Sequence, residues 1–319
     1  MSTYNPEPAT EKGGCHKRTP LIERGRIIKW VVYLVMGVIC NINTENPLLL
    51  ESCMGNKIKI GALISGGGSN LQAIIDACDS GGIHGKVVFV GSDNPKASGL
   101  ERARQHGIPW FSVDYGAVAQ KVKADPSHVR HIRDLDMDHV FSTMMATGRY
   151  QNSEKLNTFL RTRIQAEARL LEHLALYPFD LLVLAGFMRT LTPYFIDRIN
   201  DPPGTQRIMN IHPALLPAFP GVDGYGDTFR YGCKVGGCTV HFVDYGEDTG
   251  PIIGQAFFEI AETDDLDAIQ KKGLAEEWRL YPKCIQYAAE GRLRTEQMIH
   301  HLKNGKTIQR TVVRVLPRQ

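Results

Sequence analysis

An asparagine and a histidine separated by one residue have the chemistry of a catalytic pair. Asn210 and His212 lie at the end of a short apolar run, 207–211, which Pro213 prevents from continuing as a paired strand. Because alternate residues of a strand face the same side, both side chains are expected to point one way at its carboxyl end. There an amide and an imidazole can stabilise an oxyanion and move a proton. Taken alone, however, the pair is better interpreted as two buried polar groups in a proline-rich turn.

A glycine-rich loop, Ser65-Gly66-Gly67-Gly68-Ser69-Asn70, stands between an apolar strand predicted at 58–64 and a helix predicted at 69–78. Free N–H groups at a helix start attract anions, and Ser69 is expected to cap the helix and offer its hydroxyl to a phosphate. A dinucleotide fingerprint would need glycine where Leu71 stands, and a Walker loop would need lysine before Ser69. A phosphate site and a plain tight turn are equally compatible with this loop.

Two further loops carry candidate ligand-binding residues. The segment 185–191 ends an apolar strand, and its Met188 and Leu191 can line a slot for a flat ring. The segment 241–251 is a glycine-rich acidic turn, in which a carboxylate near an imidazole would favour the charged ring. His241 itself is predicted to be a packed core residue rather than a catalyst. Each segment is alternatively an ordinary turn.

Strands and helices alternate from Lys57 onward, which predicts an α/β fold with one doubly wound, mostly parallel sheet. Apolar runs predict strands at 58–64, 87–90, 110–113, 180–185 and 207–211, and a later hairpin at 238–243 and 252–260. Helical spacing predicts helices at 69–78, 97–106 and 162–176, a short one from Pro193, and one or two over 266–289, broken at Gly273 or Pro282. The charged segment 114–155 has no clear strand and is expected to be an insertion.

Composition excludes several classes of function. The 319-residue chain has a net charge of only +3 and no dense Lys/Arg block, so nucleic-acid binding is not signalled. Its seven cysteines form no CxxC pair, so we expect no metal site and reduced thiols in a cytoplasmic protein. The apolar run 30–40 is too short to span a bilayer, so no stable membrane association is expected.

The domain organisation predicted from these patterns has three parts. Residues 1–56 have no apolar period and are expected to be an N-terminal extension that is disordered or outside the fold. Residues 57–293 form one domain with the insertion at 114–155, and residues 294–319 form a C-terminal tail. A chain starting at Met54 is therefore expected to fold.

Four segments in order, SGGGSNLQAIIDAC, LAGFMRTLTP, MNIHPALLPAFPG and VHFVDYGEDTGPII, resemble the phosphoribosylglycinamide formyltransferases, which are folate-dependent enzymes. The resemblance extends over residues 57–293 and implies a Rossmann-like formyltransferase fold with a C-terminal hairpin and helix. It also implies transfer of a formyl group from 10-formyltetrahydrofolate to the amine of 5-phosphoribosylglycinamide in de novo purine biosynthesis. The reaction would proceed by direct attack through a tetrahedral intermediate, without a metal. The implied partners are small-molecule substrates, and the implied assembly is a monomer or homodimer.

The resemblance also assigns roles to individual residues. The implied catalytic residues are Asn210, His212 and Asp248, with Asp248 holding His212 in its charged form. The implied contacts of 5-phosphoribosylglycinamide are Gly68, Ser69, Asn70, Leu71, Gln72 and, near its amine, Glu277. The implied folate-binding residues are Arg163, Met188, Arg189, Thr190, Leu191 and Asn210. The sequence departs from the family at Gly224-Tyr225-Gly226-Asp227, which replaces a histidine-containing segment.

Two other functions share parts of this pattern. A formyltetrahydrofolate hydrolase would use the same Asn, His and Asp but transfer the formyl group to water, with no need for a phosphate loop. A non-catalytic nucleotide-binding module would keep the glycine loop. The intact set of Asn210, His212 and Asp248 argues against the second alternative.

Overall fold

The computed structural model describes residues 56–318, so the predictions for residues 1–55 lie outside the described part of the chain. Its strands are β1 (Ile58–Ile64), β2 (Gly85–Ser92), β3 (Trp110–Ser112), β4 (Leu181–Leu184), β5 (Ile208–His212), β6 (Val235–Phe242), β7 (Ile252–Glu259), β8 (Leu293–His301) and β9 (Thr307–Val315). Its α-helices are α1 (Ser69–Asp79), α2 (Gly99–Gln105), α3 (Tyr115–Ala124), α4 (Met137–Ala146), α5 (Ser153–Leu174), α6 (Pro193–Ile199), α7 (Gly224–Arg230) and α8 (Leu266–Ala289).

Within this range, seven strands form the central sheet in the order β3-β2-β1-β4-β5-β6-β7. The first five are parallel, whereas β6 and β7 are antiparallel to their neighbours. The sheet therefore confirms the predicted doubly wound, mostly parallel α/β fold. The chain changes direction across the sheet after β3 and returns to β4 beside β1. Ligands of such sheets bind at the carboxyl ends of the strands, where this reversal opens a crevice.

Both faces of the sheet are covered, which explains why its central strands are continuous apolar runs. Alternate residues of β1 divide between the two faces, as the period of a strand requires. One face packs on α1, α2 and α8 through Ile60, Ala62, Ile64, Leu71, Ile74, Leu100, Tyr281 and Ile285. The other packs on α3, α5 and α6 through Leu63, Phe89, Val118, Leu182, Leu184, Leu170 and Phe195.

The segment 114–155 contains no strand, as predicted, but it forms α3, α4 and the first turn of α5. Val118 and Val122 of α3 pack into the second face of the core. Val140 and Met144 of α4 pack on the start of α5 in a third cluster. These helices were not predicted, because the segment was interpreted from its charge and its lack of a strand as an insertion. The segment therefore supplies packed helices beside the sheet.

The prediction that the helix over 266–289 breaks at Gly273 or Pro282 is wrong, because α8 is one helix with Pro282 inside it. A proline or glycine in a helix is costly by itself, but tertiary packing outweighs that cost here. Tyr281, next to the proline, is fully buried, and its hydroxyl donates hydrogen bonds to Leu184 O at 3.2 Å and Met209 O at 2.8 Å. These bonds attach α8 to β4 and β5.

The predicted tail 294–319 holds most of a second sheet, the antiparallel hairpin β8–β9. The dipeptide Asn304-Gly305 between its strands is a strong hairpin signal, and Gly305 has a positive φ of 75°. Its half-exposed strands lack the apolar run that marked the central ones. In residues 56–318, no helix is both long and apolar enough to cross a membrane.

Candidate active site

The loops that follow β1 and β4 meet at the crevice between these strands. Ser65 N donates a hydrogen bond to Gly186 O at 3.0 Å, and Met188 N donates to Ser65 Oγ at 2.8 Å. Gly186 has a positive φ of 81°, which lets the chain turn away from the sheet at this point. The structure therefore brings the glycine loop and the predicted folate-binding segment into direct contact.

The glycine loop leads directly into α1, as predicted, but Gly68 rather than Ser69 is its N-cap residue. Gly68 has a φ of 68°, and a Cβ there would lie 3.0 Å from Gly99 Cα, so glycine is required. Ser69 is instead the first helical residue, and no side chain caps the helix. The N–H groups of the first turn are thus free of a side-chain cap and can bind an anion.

A cation not identified from the sequence lies beside the glycine loop. Arg102 on α2 donates from Nε to Gly67 O at 2.8 Å and from Nη1 to Gln72 Oε1 at 3.2 Å. Nothing in its sequence context distinguishes Arg102 from a surface helix residue. Its contacts place a guanidinium next to the predicted phosphate loop, which strengthens the interpretation of that loop as an anion site.

His212 is buried at the end of β5 between two hydrogen-bond acceptors. Its Nδ1 lies 3.2 Å from Asp248 Oδ2, and its Nε2 lies 2.8 Å from Phe219 O. A carboxylate and a carbonyl oxygen only accept, so each can receive a proton carried by the ring nitrogen that faces it. The strand end and the acidic loop therefore meet at this imidazole.

Asp248 is held in a strained loop that aims its carboxylate at His212. Its φ of 53° is unusual for a residue other than glycine, and Gly221 N donates to its Oδ2 at 2.8 Å. Burial acts to raise the pKa of Asp248, but contact with His241, the charge of His212 and the Gly221 N–H together bring that pKa below its usual value. Asp248 is therefore anionic at neutral pH.

His241 is buried, as predicted for a core residue, but it also contacts the catalytic candidates. Its Nδ1 lies 2.8 Å from Phe242 O, so in the neutral ring Nε2 accepts from Asn210 Nδ2 at 3.2 Å. The same Nε2 lies 3.6 Å from Asp248 Oδ1, beyond an ordinary hydrogen bond. The pairing of β5 with β6, which sets His241 opposite Asn210, brings these groups together. A single strand pattern does not reveal this partner.

Glu277 lies on α8 and accepts hydrogen bonds from two other elements. Asn70 Nδ2 donates to its Oε2 and Tyr225 OH to its Oε1, each at 2.6 Å. Burial raises the pKa of Glu277, although these two bonds and the charge of His212 oppose the rise. Tyr225, which belongs to the segment that departs from the family, was not identified from the sequence.

The predicted folate-binding residues Arg163 and Arg189 meet around one aromatic ring. Their guanidinium carbons lie 5.2 and 5.9 Å from the ring centre of Tyr115 on α3. Arg189 also pairs with the buried carboxylate of Asp93. Burial lowers the pKa of Arg163, and its buried Nη1 has no hydrogen-bond partner among the described residues. Arg163 therefore keeps a donor available.

Several predicted ligand contacts are limited to the backbone. The side chains of Leu71 and Leu191 are buried in the core, so these residues can reach a ligand only through main-chain atoms. Met188 is 59% exposed and can offer its side chain. Thr190 is half-buried in the same loop.

No group of three or more His, Cys, Asp or Glu residues in 56–318 is arranged to hold a metal ion.

Comparison with known proteins gives consistent results. Residues 58–285 match the sequence profile of the formyl transferase family. The phosphoribosylglycinamide formyltransferase of Haemophilus influenzae is 35% identical over 250 residues, which cover 78% of this chain and 95% of that protein. The Escherichia coli enzyme of the same name is 34% identical over 75% of this chain and 91% of its own length. The structure of glycinamide ribonucleotide transformylase 1 from Symbiobacterium toebii is similar with a TM-score of 0.60, at 36% identity, covering 83% of this chain and 96% of that chain.

Proposed function

The chain belongs to the formyl transferase family, and from this premise we propose that it is a phosphoribosylglycinamide formyltransferase of purine biosynthesis. It transfers a formyl group from 10-formyltetrahydrofolate to the amine of 5-phosphoribosylglycinamide. The observation that carries the proposal is the contact of His212 with Asp248, at 3.2 Å, at the same edge of the sheet as the glycine loop. The names of the relatives at 34–36% identity support the choice of substrate.

His212, Asp248 and Asn210 act on the charge that develops at the formyl oxygen when the amine attacks the formyl carbon. Asp248, anionic at neutral pH, stabilises the imidazolium of His212. Asn210 has a second amide hydrogen besides the one directed at His241, and it can donate this hydrogen to the oxyanion. His212, as the imidazolium, gives a proton to the departing folate nitrogen and regains one from the attacking amine, directly or through water.

The glycine loop and Glu277 bind 5-phosphoribosylglycinamide at its two ends. Main-chain N–H groups of Ser69, Asn70 and Leu71 bind the phosphate at the start of α1, and Gln72 lies one turn further along the helix. Arg102 adds positive charge at the same loop. Glu277, joined to α1 through Asn70, receives the amine end near His212.

The loop 188–191 and Arg163 hold the folate. 10-Formyltetrahydrofolate supplies the activated formyl group and presents a flat heterocycle and carboxylates for recognition. The residues present fit such a ligand, because Met188 offers apolar surface while Arg163 Nη1 and Asp93 Oδ1 are buried polar atoms without partners among the described residues. Arg189 and Thr190 complete the loop, and Asn210 borders it from β5.

The proposal also covers location and assembly. We place the enzyme in the cytoplasm as a monomer or homodimer that acts on small molecules without nucleic acid or membrane. The free thiols of Cys78, Cys233, Cys238 and Cys284 support a reducing compartment.

One assay tests the function. Purified protein is mixed with 10-formyltetrahydrofolate and 5-phosphoribosylglycinamide, and the folate absorbance is followed with and without the amine. We expect a change that requires both substrates and gives one formylated product for each folate released. The same folate change without the amine would instead identify a hydrolase. No change under any condition would identify a binding module.

A further inference from the structure

Tyr225 lies in the segment that departs from the family pattern, yet it is seated within the site. The side chain is only 7% exposed, and its hydroxyl donates to Glu277 Oε1 at 2.6 Å. The short helix α7 carries the ring from the proline-rich loop after His212 towards α8. A residue that joins these two elements is placed to influence how Glu277 meets a substrate.

Gly273 on α8 makes room for this tyrosine. A Cβ at position 273 would lie 2.1 Å from Tyr225 Cζ and 2.4 Å from its hydroxyl oxygen. Glycine inside a helix is less favourable than alanine, so its presence here calls for a packing reason. The space that Gly273 leaves for the Tyr225 ring is that reason, and the packed ring holds its hydroxyl against Glu277.

Asn70 holds the second oxygen of Glu277 and leaves an acceptor free. Its Nδ2 donates to Glu277 Oε2 at 2.6 Å, whereas its own Oδ1 is buried and has no partner among the described residues. Asn70 is only 7% exposed. Each carboxylate oxygen retains a further lone pair, so Glu277 and Asn70 Oδ1 together present acceptors. Such a pair recognises a group rich in N–H donors.

We propose that Tyr225 is a positioning residue, which fixes the orientation and charge of Glu277 so that Glu277 and Asn70 Oδ1 together accept the N–H groups of the glycinamide end of the substrate. This inference rests on the proposed function and deepens it. Tyr225 itself does not touch the reacting atoms; it acts through Glu277. The departing segment thus supplies a specificity element of this chain's own.

The charge of Glu277 depends on Tyr225 in a direction that can be tested. Burial raises the pKa of Glu277, and the hydrogen bond from Tyr225 opposes that rise because it stabilises the anion. Loss of the hydroxyl therefore raises this pKa further and leaves less carboxylate at a given pH. The titratable groups around Glu277 are Tyr225 on α7, His212 on β5, Cys238 on β6, and Glu276 and Tyr281 on its own helix.

Tyr225→Phe removes the hydroxyl and keeps the ring, and Tyr231→Phe is the matched control because that side chain is 81% exposed. We expect Tyr225→Phe to raise KM for 5-phosphoribosylglycinamide by roughly tenfold or more, as loss of a hydrogen bond to a charged group does. KM for 10-formyltetrahydrofolate should stay unchanged. The acid limb of kcat/KM for the amine substrate should move to higher pH, whereas the control should match the wild type in all three measurements.

Gly273→Ala tests the packing of the Tyr225 ring against Gly273 without removing any polar group. Alanine favours the helix, so a rise in KM for the amine substrate would come from displacement of the Tyr225 ring. Calorimetric binding of 5-phosphoribosylglycinamide to each variant, beside thermal unfolding, provides a readout without turnover. Weaker binding by both variants at unchanged folate affinity supports the inference.

The failures of the inference and of the function are distinguishable. A wild-type protein that neither binds nor formylates 5-phosphoribosylglycinamide overturns the proposed function and, with it, this inference. An active wild type whose Tyr225→Phe variant keeps its KM and its acid limb overturns the inference alone. A variant that loses affinity for both substrates equally, with an unmoved acid limb, shows a merely structural tyrosine and also overturns it.

Discussion

Asp248 and Glu277 are two carboxylates of the candidate site, but their environments shift their pKa values in opposite directions. Burial raises the pKa of both side chains. At Asp248, contact with His241, the charge of His212 and a backbone N–H outweigh burial, and the pKa falls. At Glu277 the bonds from the neutral donors Tyr225 and Asn70 do not outweigh it, and the pKa stays raised. The pKa of each carboxyl therefore follows from the balance between burial and the contacts that stabilise the anion.

A third carboxylate follows the same rule. Glu167 on α5 is fully buried, and both of its oxygens accept from Thr192. Burial raises its pKa to about 7, although the bonds from Thr192 and the charge of Arg163 act in the opposite direction. Neutral donors therefore satisfy a buried carboxylate without fixing its charge. Asp248 is suited to a permanent anion that holds His212, whereas Glu277 is suited to a contact whose charge its neighbours set.

The largest expected effect concerns the Asp248 side of this comparison. His212→Ala and Asp248→Asn should each lower kcat by on the order of 10² or more while the protein stays folded, because general acid–base groups contribute about 10² to 10⁴. Steady-state kinetics with both substrates, beside circular dichroism, makes the measurement. Near wild-type turnover in either variant would remove these residues from the mechanism.

A control in the same loop separates chemistry from loop structure. Asp244 accepts from Gly246 N at 3.1 Å and from Thr249 Oγ1 at 2.7 Å, and in the part of the chain that the structure describes no hydrogen bond or ion pair joins it to His212. Asp244→Asn should therefore lower kcat far less than Asp248→Asn. Equal losses would show that the loop, rather than the pairing with His212, is responsible.

For Glu277, we predict a change in substrate binding rather than in turnover. Glu277→Gln replaces an acceptor by a donor and should raise KM for 5-phosphoribosylglycinamide by about tenfold or more, with a smaller change in kcat. Glu276→Gln is the matched control, since Glu276 pairs with Arg279 at the surface. If Glu277→Gln instead lowers kcat as strongly as Asp248→Asn, the two carboxylates do not have separate roles.

A smaller effect is expected at the other end of the substrate. Gly68→Val adds a side chain where the backbone has a positive φ and a Cβ meets Gly99 at 3.0 Å. It should raise KM for the phosphorylated substrate several-fold, and more than KM for the folate, because the phosphate loop is distorted. For glycinamide riboside, which lacks the phosphate, KM should not rise further when Gly68 is replaced. Equal effects on both substrates of the reaction would contradict a phosphate site.

The same comparison shows what the sequence could predict. Asn210, His212 and the acidic loop were singled out because each lies at or after the end of an apolar strand, and the family resemblance then assigned their roles. The structure brings them together at the strand ends. Most strands were located to within about two residues from their apolar runs. Partners that depend on strand pairing or helix docking, such as His241 and Tyr225, could not be found, since no local pattern marks them.

Two errors along the chain concern local propensity. A helix break was predicted at Gly273 or Pro282, whereas the missing side chain of Gly273 accommodates Tyr225 and Pro282 lies inside α8. The strands β8 and β9 were not located in the sequence although Asn304-Gly305 signals a turn, because these half-exposed strands have no continuous apolar run. Tertiary packing outweighed local propensity in the first case, and the local turn signal was not used in the second.

The smallest expected effect is a pH-dependent change in the free energy of unfolding. It tests the comparison most directly, because it measures the two pKa shifts through stability. A carboxylate with a lowered pKa in the folded state adds stability that is present above its unfolded pKa and is lost as pH falls through the folded value. Asp248 has this sign. A carboxylate with a raised pKa adds a cost that is absent below its unfolded pKa, about 4.3 for glutamate, and grows as pH rises towards the folded value. Glu277 has that sign.

Denaturant unfolding of the wild type, Asp248→Asn and Glu277→Gln between acidic and neutral pH therefore separates the two sites. Lost hydrogen bonds shift each variant by an amount that does not depend on pH, so the slope of the difference is the readout. The advantage of the wild type over Asp248→Asn should grow as pH rises, and its advantage over Glu277→Gln should shrink. Slopes of the same sign would mean that His212 and its neighbours treat both carboxylates alike, and the division of roles between them would fail.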